Sequence, residues 1–177
     1  MFRRWNYGVG AVASQSEFVI VRFPVLEMEG VTVREATAAD APFLLSLARK
    51  AYREILALQF SGWEESIHGV RFAEKVASLP FRVVELNGEP VATVSSSIHP
   101  DHVRVNELVV LPRFQNGGLG SFLLLQEVER ARSVGLPLRL HAFRLSRALR
   151  FYERHGFVVT ARREDEIDLE LTFDRRD

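Results

Sequence analysis

The sequence has no cysteine, almost no lysine and no net charge. Without cysteine, the chain forms no disulfide, offers no thiolate to zinc and supplies no cysteine nucleophile. All but two of the 23 basic residues are arginine, and 23 acidic residues bring the formal net charge to zero. That balance excludes nucleic-acid binding driven by bulk electrostatics.

Long apolar runs are also missing. No stretch reaches the roughly 18 residues that a bilayer-spanning helix needs, and the first residues contain no sustained apolar segment typical of a secretory signal. We therefore expect no membrane partner and a cytoplasmic location. The 177 residues are 47% apolar, which suits one globular domain with a hydrophobic core.

The first half of the chain contains clear start and stop signals for secondary structure. Alternating residues predict a strand at 31–35, and Thr37 with Asp40 resembles a capping box that opens a helix. Ser61 with Glu64 predicts a second helix ending near residue 78, whose inward face would include Ile67, Val70 and Val76. An Asn-Gly pair at 87–88 predicts a hairpin between strands 81–86 and 91–98, and a third strand follows at 103–111.

The second half alternates strands with helices. A glycine-rich turn leads into a helix from about 118 to 133, and Gly135 suits its C-terminal cap. A strand at 138–143, a helix ending near Gly156 and two strands at 157–161 and 166–173 complete the order. The resulting β-α-α-β-β-β-α-β-α-β-β series predicts an α/β fold with a mixed sheet and helices on both faces.

Residues 1–29 lie before this regular pattern. The segment 18–25 has the composition of a strand, and Pro24 suits an edge position better than a central one. Met28 directly precedes the first patterned strand. We interpret 1–29 as an N-terminal extension, either partly disordered or upstream of the true start, and 30–177 as the functional domain.

The glycine-rich turn at 115–121 is the strongest chemical signal. Backbone N–H groups at a helix start lack partners within the helix and carry partial positive charge, and glycines let a phosphate approach them. A P-loop is excluded because no Gly-Lys-Ser/Thr is present, and the glycine spacing does not match the dinucleotide-binding fingerprint. A pyrophosphate cradle and a plain tight turn both remain open on this evidence.

Two motifs resemble those of the GNAT N-acetyltransferase superfamily. Leu108-Val-Val-Leu-Pro-Arg-Phe-Gln-Asn-Gly-Gly-Leu-Gly-Ser121 resembles its motif A, in which Gln115, Gly118 and Gly120 match the Gln/Arg-x-x-Gly-x-Gly/Ala signature. About thirty residues later, Arg147-Ala-Leu-Arg-Phe-Tyr-Glu-Arg-His-Gly-Phe157 resembles the second signature. The resemblance covers about 30–177 and implies the acyl-CoA N-acyltransferase fold, with a mostly antiparallel sheet.

The resemblance implies acetyl transfer from acetyl-CoA to an amine. It assigns the CoA pyrophosphate to backbone amides of the turn and the pantetheine arm to the backbone of Val109 and Val110, in a gap where the sheet splays. It also makes Tyr152 the acid that protonates the departing CoA thiolate. The turn residues so assigned are Gln115, Asn116, Gly117, Gly118, Leu119, Gly120 and Ser121.

One position departs from the family pattern. An asparagine often stands seven residues before this tyrosine, whereas this sequence has Leu145 there. The neighbouring Ser146 is a partial substitute. The departure puts one CoA contact in doubt but leaves the predicted fold intact.

The acceptor amine must lose a proton before it attacks, which requires a base or a water relay. We expect Glu107, just before the CoA-contacting backbone, to be this base, because many relatives carry a similar Glu-Leu/Ile-x-Val-Leu-Pro run. His141, Asn106 and Glu85 stay open as alternatives, as does a plain salt bridge for Glu107.

Three further groups have two readings each. Arg144 or Arg147 is a candidate for the CoA 3′-phosphate, although a solvated helix face explains this basic run better. An acidic run at 164–170 either attracts a cationic acceptor or forms a charged turn and edge strand. Trp63 is either an acceptor-pocket wall or a helix-start anchor.

The five histidines lack metal-ligand spacing, so no metal is expected.

The sequence therefore predicts an acetyl-CoA-dependent N-acetyltransferase that acts on a small-molecule amine by direct transfer in a ternary complex. A protein N-terminal or lysine acetyltransferase is one alternative. A non-catalytic acyl-CoA-binding regulatory module is another. A homodimer is suggested only by analogy with relatives.

Overall fold

Seven strands form one mixed sheet with helices packed on both faces, as the element order predicts. The computed structural model describes residues 6–14, 17–25 and 27–173. A separate antiparallel pair, β1 (Asn6–Ser14) and β2 (Glu17–Val25), precedes the main sheet. The main sheet has the order β3-β4-β5-β6-β7-β9-β8. Its strands are β3 (Val31–Glu35), β4 (Phe81–Leu86), β5 (Glu89–Ile98), β6 (Val103–Val110), β7 (Leu138–Phe143), β8 (Val158–Arg162) and β9 (Glu166–Leu171).

The helices divide between the two faces of this sheet, and each strand alternates its side chains accordingly. On β4, Val83 packs in a cluster with α1 and α2 residues, whereas the next residue, Val84, packs with α3. On β6, Val109 packs against Leu47 of α1 and Val110 against the start of α3. The helices are α1 (Ala41–Gln59), α2 (Val70–Ser78), α3 (Leu119–Ser133) and α4 (Ala148–Arg154).

Local signals in the sequence account for most of these boundaries. Thr37 and Asp40 form the predicted capping box, which opens a short 3-10 turn that leads into α1. Asn87 and Gly88 both have positive φ, 52° and 82°, as a tight primed hairpin turn requires. Gly135, with φ of 67°, follows the C-cap of α3.

The predicted start of the second helix is wrong. The N–H of Gly62 donates to the carbonyl of Leu56, so the Ser61–Gly62 segment ends α1 and does not cap the next helix. The following helix begins with a π-helical turn at Glu65–Gly69 and continues as α2. As a result the predicted inward residues Ile67 and Val70 are exposed, and Phe72 provides the buried anchor.

A divergence in the middle of the sheet creates the space for a site. β6 and β7 are parallel and pair only at Val103–Leu138 and Arg104–Arg139. Beyond these two pairs β6 continues along β5 as far as Val110, while β7 follows β9. The edge of β6 that faces β7 is therefore open over 105–110, which agrees with the predicted gap.

The boundary predicted between an N-terminal extension (1–29) and the functional domain (30–177) stays a prediction. Part of the extension, residues 1–5, 15, 16 and 26, lies outside the described residues, as do residues 174–177 of the predicted domain. The strand predicted at 18–25 coincides with β2, which pairs with β1 alone.

Two leucines of α1 allow a direct test of the core packing on the α1 face of the sheet. Leu44 is fully buried, whereas Leu58 is 67% exposed. We expect Leu44→Ala to lower the free energy of unfolding by about 2–5 kcal/mol, because it leaves a cavity. Leu58→Ala should change it by less than about 0.5 kcal/mol. Urea denaturation measures both values, and equal losses would contradict this packing.

Candidate active site

Two cavities meet at the place where β6 and β7 diverge. The first has a volume of about 1260 Å³ and lies between α1, the end of β6, the glycine-rich turn and α4. The second has a volume of about 880 Å³ and lies between α1, α2, β6, β7 and the β8–β9 turn. Six residues border both cavities: Tyr52, Leu108, Phe143, Ser146, Ala148 and Tyr152.

The glycine-rich turn forms one end of the first cavity. Gly118 is the N-cap of α3 and has φ of 88°, a conformation that strains any residue with a Cβ. Asn116 also has positive φ, 64°. The side chain of Gln115 donates from Nε2 to the carbonyl of Val110 at 2.9 Å and so ties the turn to the end of β6.

The predicted cofactor residues of this turn lie together at the start of α3. Gln115, Asn116, Gly118, Gly120 and Ser121 line the first cavity. Gly117, which has no side chain, lies between them, and the side chain of Leu119 is buried in the core. Only the backbone groups of these two residues could therefore contact a ligand. The first N–H groups of the helix have no partner within it, which makes this end suitable for an anion.

Val109 and Val110 line the same cavity along the open edge of β6. Both side chains are buried on opposite faces of the sheet. Their side chains therefore support the core, and what they present to the divergence between β6 and β7 is backbone.

Tyr152 lies where the two cavities join. Its ring is buried in the core beside Phe151 and Phe157, with which it makes edge-to-face contacts. Within the part of the chain that the structure describes, its hydroxyl makes no hydrogen bond. Burial, reinforced by the negative charge of Glu107, raises the pKa of Tyr152 well above its usual range. The phenol is therefore protonated at neutral pH and its proton is available.

The loop between β7 and α4 carries Leu145 and Ser146. Ser146 borders both cavities, and its Oγ accepts a hydrogen bond from the N–H of Ala148 at 3.1 Å. Gln59 holds the loop in place: its Oε1 accepts from the N–H of Leu145 at 3.1 Å, and its Nε2 donates to the carbonyl of Asp165 at 2.7 Å. The loop is thus joined to the end of α1 and to the β8–β9 turn.

Glu107 is the buried carboxylate of the second cavity. Its side chain is only 5% exposed, and one oxygen accepts a 2.5 Å hydrogen bond from Nζ of Lys75. The other oxygen accepts the hydroxyl proton of Tyr52 in a short hydrogen bond. Burial and the adjacent Glu107 charge raise the pKa of Tyr52 far above its usual range, so Tyr52 remains a neutral donor.

A bulge in β6 determines where Glu107 points. The register between β5 and β6 shifts so that Ser95 faces Glu107 while Ser96 faces Val105, which leaves Asn106 as the extra residue. Asn106 donates from Nδ2 to Ser97 Oγ at 2.8 Å. Its amide is therefore engaged with β5.

The other two candidate bases are less suitably placed. Glu85 borders neither cavity and is paired with Arg34 at 2.8 Å. His141 lines the second cavity, and burial lowers its pKa, so the ring is neutral at neutral pH. Nδ1 of His141 must accept from Arg104 at 2.7 Å, because a guanidinium only donates. Nε2 then carries the proton and faces Glu166 at 3.5 Å, so no ring nitrogen is free to act as a base.

Aromatic rings form one wall of the second cavity. Phe143 makes edge-to-face contacts with Tyr52 and Phe60, and the ring of His68 lies near both Phe60 and Trp63. Trp63 lines the cavity and also donates from Nε1 to Glu65 Oε2 at the start of the π-helical turn, so its position is compatible with both of its predicted roles.

Charged groups surround the two cavities unequally. Arg147, Arg150 and Arg154 of the basic run border the first cavity, whereas the Arg144 side chain bonds the carbonyl of Glu164. Glu164, Asp165 and Glu166 of the acidic run border the second cavity, as do the cationic side chains of Arg71, Lys75 and Arg163. The remaining acidic residues of that run form ion pairs, Asp168 with Arg163 and Glu170 with Arg139.

Tyr52 and Lys75, the two partners of Glu107, are not among the site residues predicted from the sequence. Tyr52 lies four residues after Ala48 on the inward stripe of α1, where it was indistinguishable from an ordinary core aromatic. Lys75 is one of only two lysines in the chain, a rarity that could have marked it. Neither position shows its link to β6 without the fold.

The comparisons with known proteins agree with this geometry. The model of the acetyltransferase (GNAT) family matches residues 48–157, more than half of the chain, which includes both motifs and the β6–β7 divergence. The chain belongs to the GNAT acetyltransferase family. The resemblance seen in the sequence and the predicted fold class are thereby confirmed.

Solved GNAT structures have the same fold. PaiA N-acetyltransferase from Thermoplasma acidophilum, in complex with coenzyme A, superposes with a TM-score of 0.67 at 19% identity, covering 81% of this chain and 99% of that one. The ribosomal-protein-S18-alanine N-acetyltransferase of Escherichia coli superposes with a TM-score of 0.62 at 21% identity, covering 83% of this chain and 97% of that one. An acetyltransferase from Thermus thermophilus superposes with a TM-score of 0.65 at 16% identity, covering 81% of this chain and 97% of that one. No curated protein sequence matches significantly.

Membership in the GNAT family is consistent with acetyl transfer from acetyl-CoA, and the fold and cavities fit that chemistry. Among the described residues no helix has the length and apolarity to cross a bilayer. In the same residues no three His, Asp or Glu side chains are grouped as metal ligands.

The glycine-rich turn offers a test that uses two adjacent glycines. Gly118 has positive φ, so Gly118→Ala should lower the free energy of unfolding by about 1–2 kcal/mol. Gly117 has no such conformation, and a Cβ there would meet nothing closer than 3.9 Å. Gly117→Ala should leave stability unchanged or raise it by up to about 1 kcal/mol. Equal effects in urea denaturation would contradict the described turn.

Proposed function

We propose that this GNAT protein transfers an acetyl group from acetyl-CoA to the primary amine of a small molecule, by direct transfer in a ternary complex. One observation carries the proposal: two separate cavities meet at Tyr152, with an open strand edge and a helix start on one side and a buried carboxylate on the other. That arrangement provides separate places for donor and acceptor and one shared place for the reaction.

In this proposal the first cavity holds acetyl-CoA. The backbone amides from Gln115 to Ser121 bind the pyrophosphate, because helix-start N–H groups and the helix dipole favour anions. The exposed backbone of Val109 and Val110 pairs with the amides of the pantetheine arm, as an added strand would. The arginines that border this cavity supply positive charge for the phosphates.

Tyr152 serves as the general acid. When the amine attacks the thioester carbonyl, the C–N bond forms, the C–S bond breaks and the sulfur leaves with the electron pair. The Tyr152 phenol donates a proton to that sulfur. Its raised pKa suits this role, because the proton is present at neutral pH and the hydroxyl is committed to no other partner in the described residues.

Glu107 serves as the base. Its carboxylate has four lone-pair positions, and Tyr52 and Lys75 occupy one on each oxygen. The remaining positions accept a proton from the acceptor ammonium, directly or through a water molecule. The occupied ring nitrogens of His141 and the distance of Glu85 from both cavities favour Glu107 over these alternatives.

The second cavity supports a small-molecule acceptor. Its volume of about 880 Å³ falls within the usual range for small-ligand sites. Its aromatic wall suits an apolar body, and its five bordering carboxylates outnumber its three bordering cationic side chains, which favours a cationic amine. A protein N-terminus or lysine, and a non-catalytic acyl-CoA-binding role, are the competing functions. The expected cytoplasmic location and the homodimer stay predictions.

The rate of thiol release from acetyl-CoA with a panel of amines tests the proposed function. The Tyr152→Phe variant in the same assay tests the assignment of Tyr152 as the general acid. We expect turnover with at least one small primary amine. Tyr152→Phe should lower kcat by about 10²-fold or more, because only the donated proton is lost. CoA affinity measured by calorimetry should stay within about twofold, since no predicted phosphate contact changes.

The competing functions give different results in this assay. CoA binding without turnover on any amine would favour the non-catalytic module. Turnover on peptides alone would favour a protein acceptor. An unchanged kcat in Tyr152→Phe would remove Tyr152 from the mechanism.

Glu107 has a pH-dependent test. Glu107→Gln should lower kcat/KM about 10²-fold at neutral pH, and the loss should shrink as pH rises, because the amine then loses its proton in solution. His141→Gln is the matched control and should have the smaller effect. A larger loss in His141→Gln, or a Glu107→Gln deficit that is constant with pH, would assign the base elsewhere.

A further inference from the structure

One of the chain's own amines already lies in the second cavity. Lys75 borders it, and its Nζ lies 2.5 Å from Oε1 of Glu107, the carboxylate that we assign as base. Tyr152 borders the same cavity. Apart from Lys75, the sequence has only one other lysine, Lys50. One of the two side-chain amines in the protein is therefore held where the acceptor amine is proposed to bind.

We propose that Lys75 is a self-acetylation site. The inference rests on the proposed function, because it uses the same donor, acid and base. Lys75 is a primary amine, the chemical group that the site is proposed to acetylate. Its contact with Glu107 is the contact that an acceptor ammonium would make before losing its proton.

The reaction balances without an additional reagent. The Lys75 ammonium gives one proton to Glu107, and its lone pair attacks the thioester carbonyl. The C–N bond forms, the C–S bond breaks and the sulfur takes a proton from Tyr152. The second amine proton and the proton on Glu107 return one to Tyr152 and one to solvent. The products are Nζ-acetyl-Lys75, CoA and one proton.

The side chain of Lys75 has the freedom that this step requires. It extends from α2 on a flexible four-carbon stem and is 41% exposed, whereas Glu107 is fixed in the sheet and 5% exposed. Nζ can therefore change position within the cavity while Glu107 stays in place.

Acetylation would change the site in two ways. It would remove the positive charge beside Glu107, and it would place an amide in the second cavity in competition with an external acceptor. Self-acetylation at Lys75 should therefore slow the turnover of free amines. That effect would couple the activity to how long the enzyme is exposed to acetyl-CoA without an acceptor.

Lys50 provides an internal control. It is exposed on α1 and borders neither cavity. Acetyl-CoA reacting with lysine in solution without catalysis would modify Lys50 at least as readily as the partly buried Lys75. A preference for Lys75 thus reports the site and not general reactivity.

The experiment incubates the full chain with acetyl-CoA in a buffer free of amines, followed by intact mass and peptide mapping. We expect one acetyl group at Lys75, added at a rate independent of protein concentration and about tenfold or more above that at Lys50. Tyr152→Phe should slow acetylation of Lys75 and leave Lys50 unchanged. Lys75→Arg, which keeps the cation beside Glu107, should remove the fast mass increase and leave only the slow acetylation of Lys50.

Other results would overturn the inference. These are an unmodified Lys75, acetylation of both lysines at one rate, no effect of Tyr152→Phe, or a rate that rises with protein concentration. The amine-panel assay separates the two proposals. Thiol release with free amines but no acetyl-Lys75 defeats the inference alone, whereas no thiol release with any amine defeats the proposed function.

Discussion

The short ladder between β6 and β7 is the constraint on which the rest of the site depends. Two residue pairs join these parallel strands, and beyond them the sheet divides into halves that α3 still covers. Backbone groups deep in a sheet normally bond to a neighbouring strand. Here the edge of β6 next to Val109 and Val110 faces a cavity instead, and the proposed pantetheine arm would pair with it through its own amide groups. The glycine-rich turn, α4 and both cavities are arranged around that opening.

A buried carboxylate accounts for the second half of the site. Taking Glu107 out of water is unfavourable unless hydrogen bonds and an opposite charge compensate. Tyr52 from α1 and Lys75 from α2 provide them, so the helices that cover one face of the sheet also complete the site. The zero net charge of the chain conceals an uneven distribution: three arginines and one glutamate border the first cavity, whereas five carboxylates and three cationic side chains border the second.

Much of the fold could be predicted from local signals. The Asn87-Gly88 turn and the capping residue Asp40 act within a few positions of the chain, and the alternation of β6 is equally local. The start of the second helix could not be predicted in this way. The N–H of Gly62 donates to the carbonyl of Leu56, so α1 ends where the sequence predicts a new helix cap. The partners of Glu107 also escaped prediction. Tyr52 lies 55 residues from it and Lys75 lies 32 residues away, and only tertiary packing brings them together.

The proposed function requires the opening beside β6 to hold acetyl-CoA with its sulfur at Tyr152. A crystal structure of the chain with bound CoA tests it most directly. We expect the pyrophosphate on the amides of 115–121, the pantetheine arm along Val109 and Val110, and the sulfur within hydrogen-bond distance of the Tyr152 hydroxyl. CoA bound outside this opening, or with its sulfur remote from Tyr152, would contradict the account.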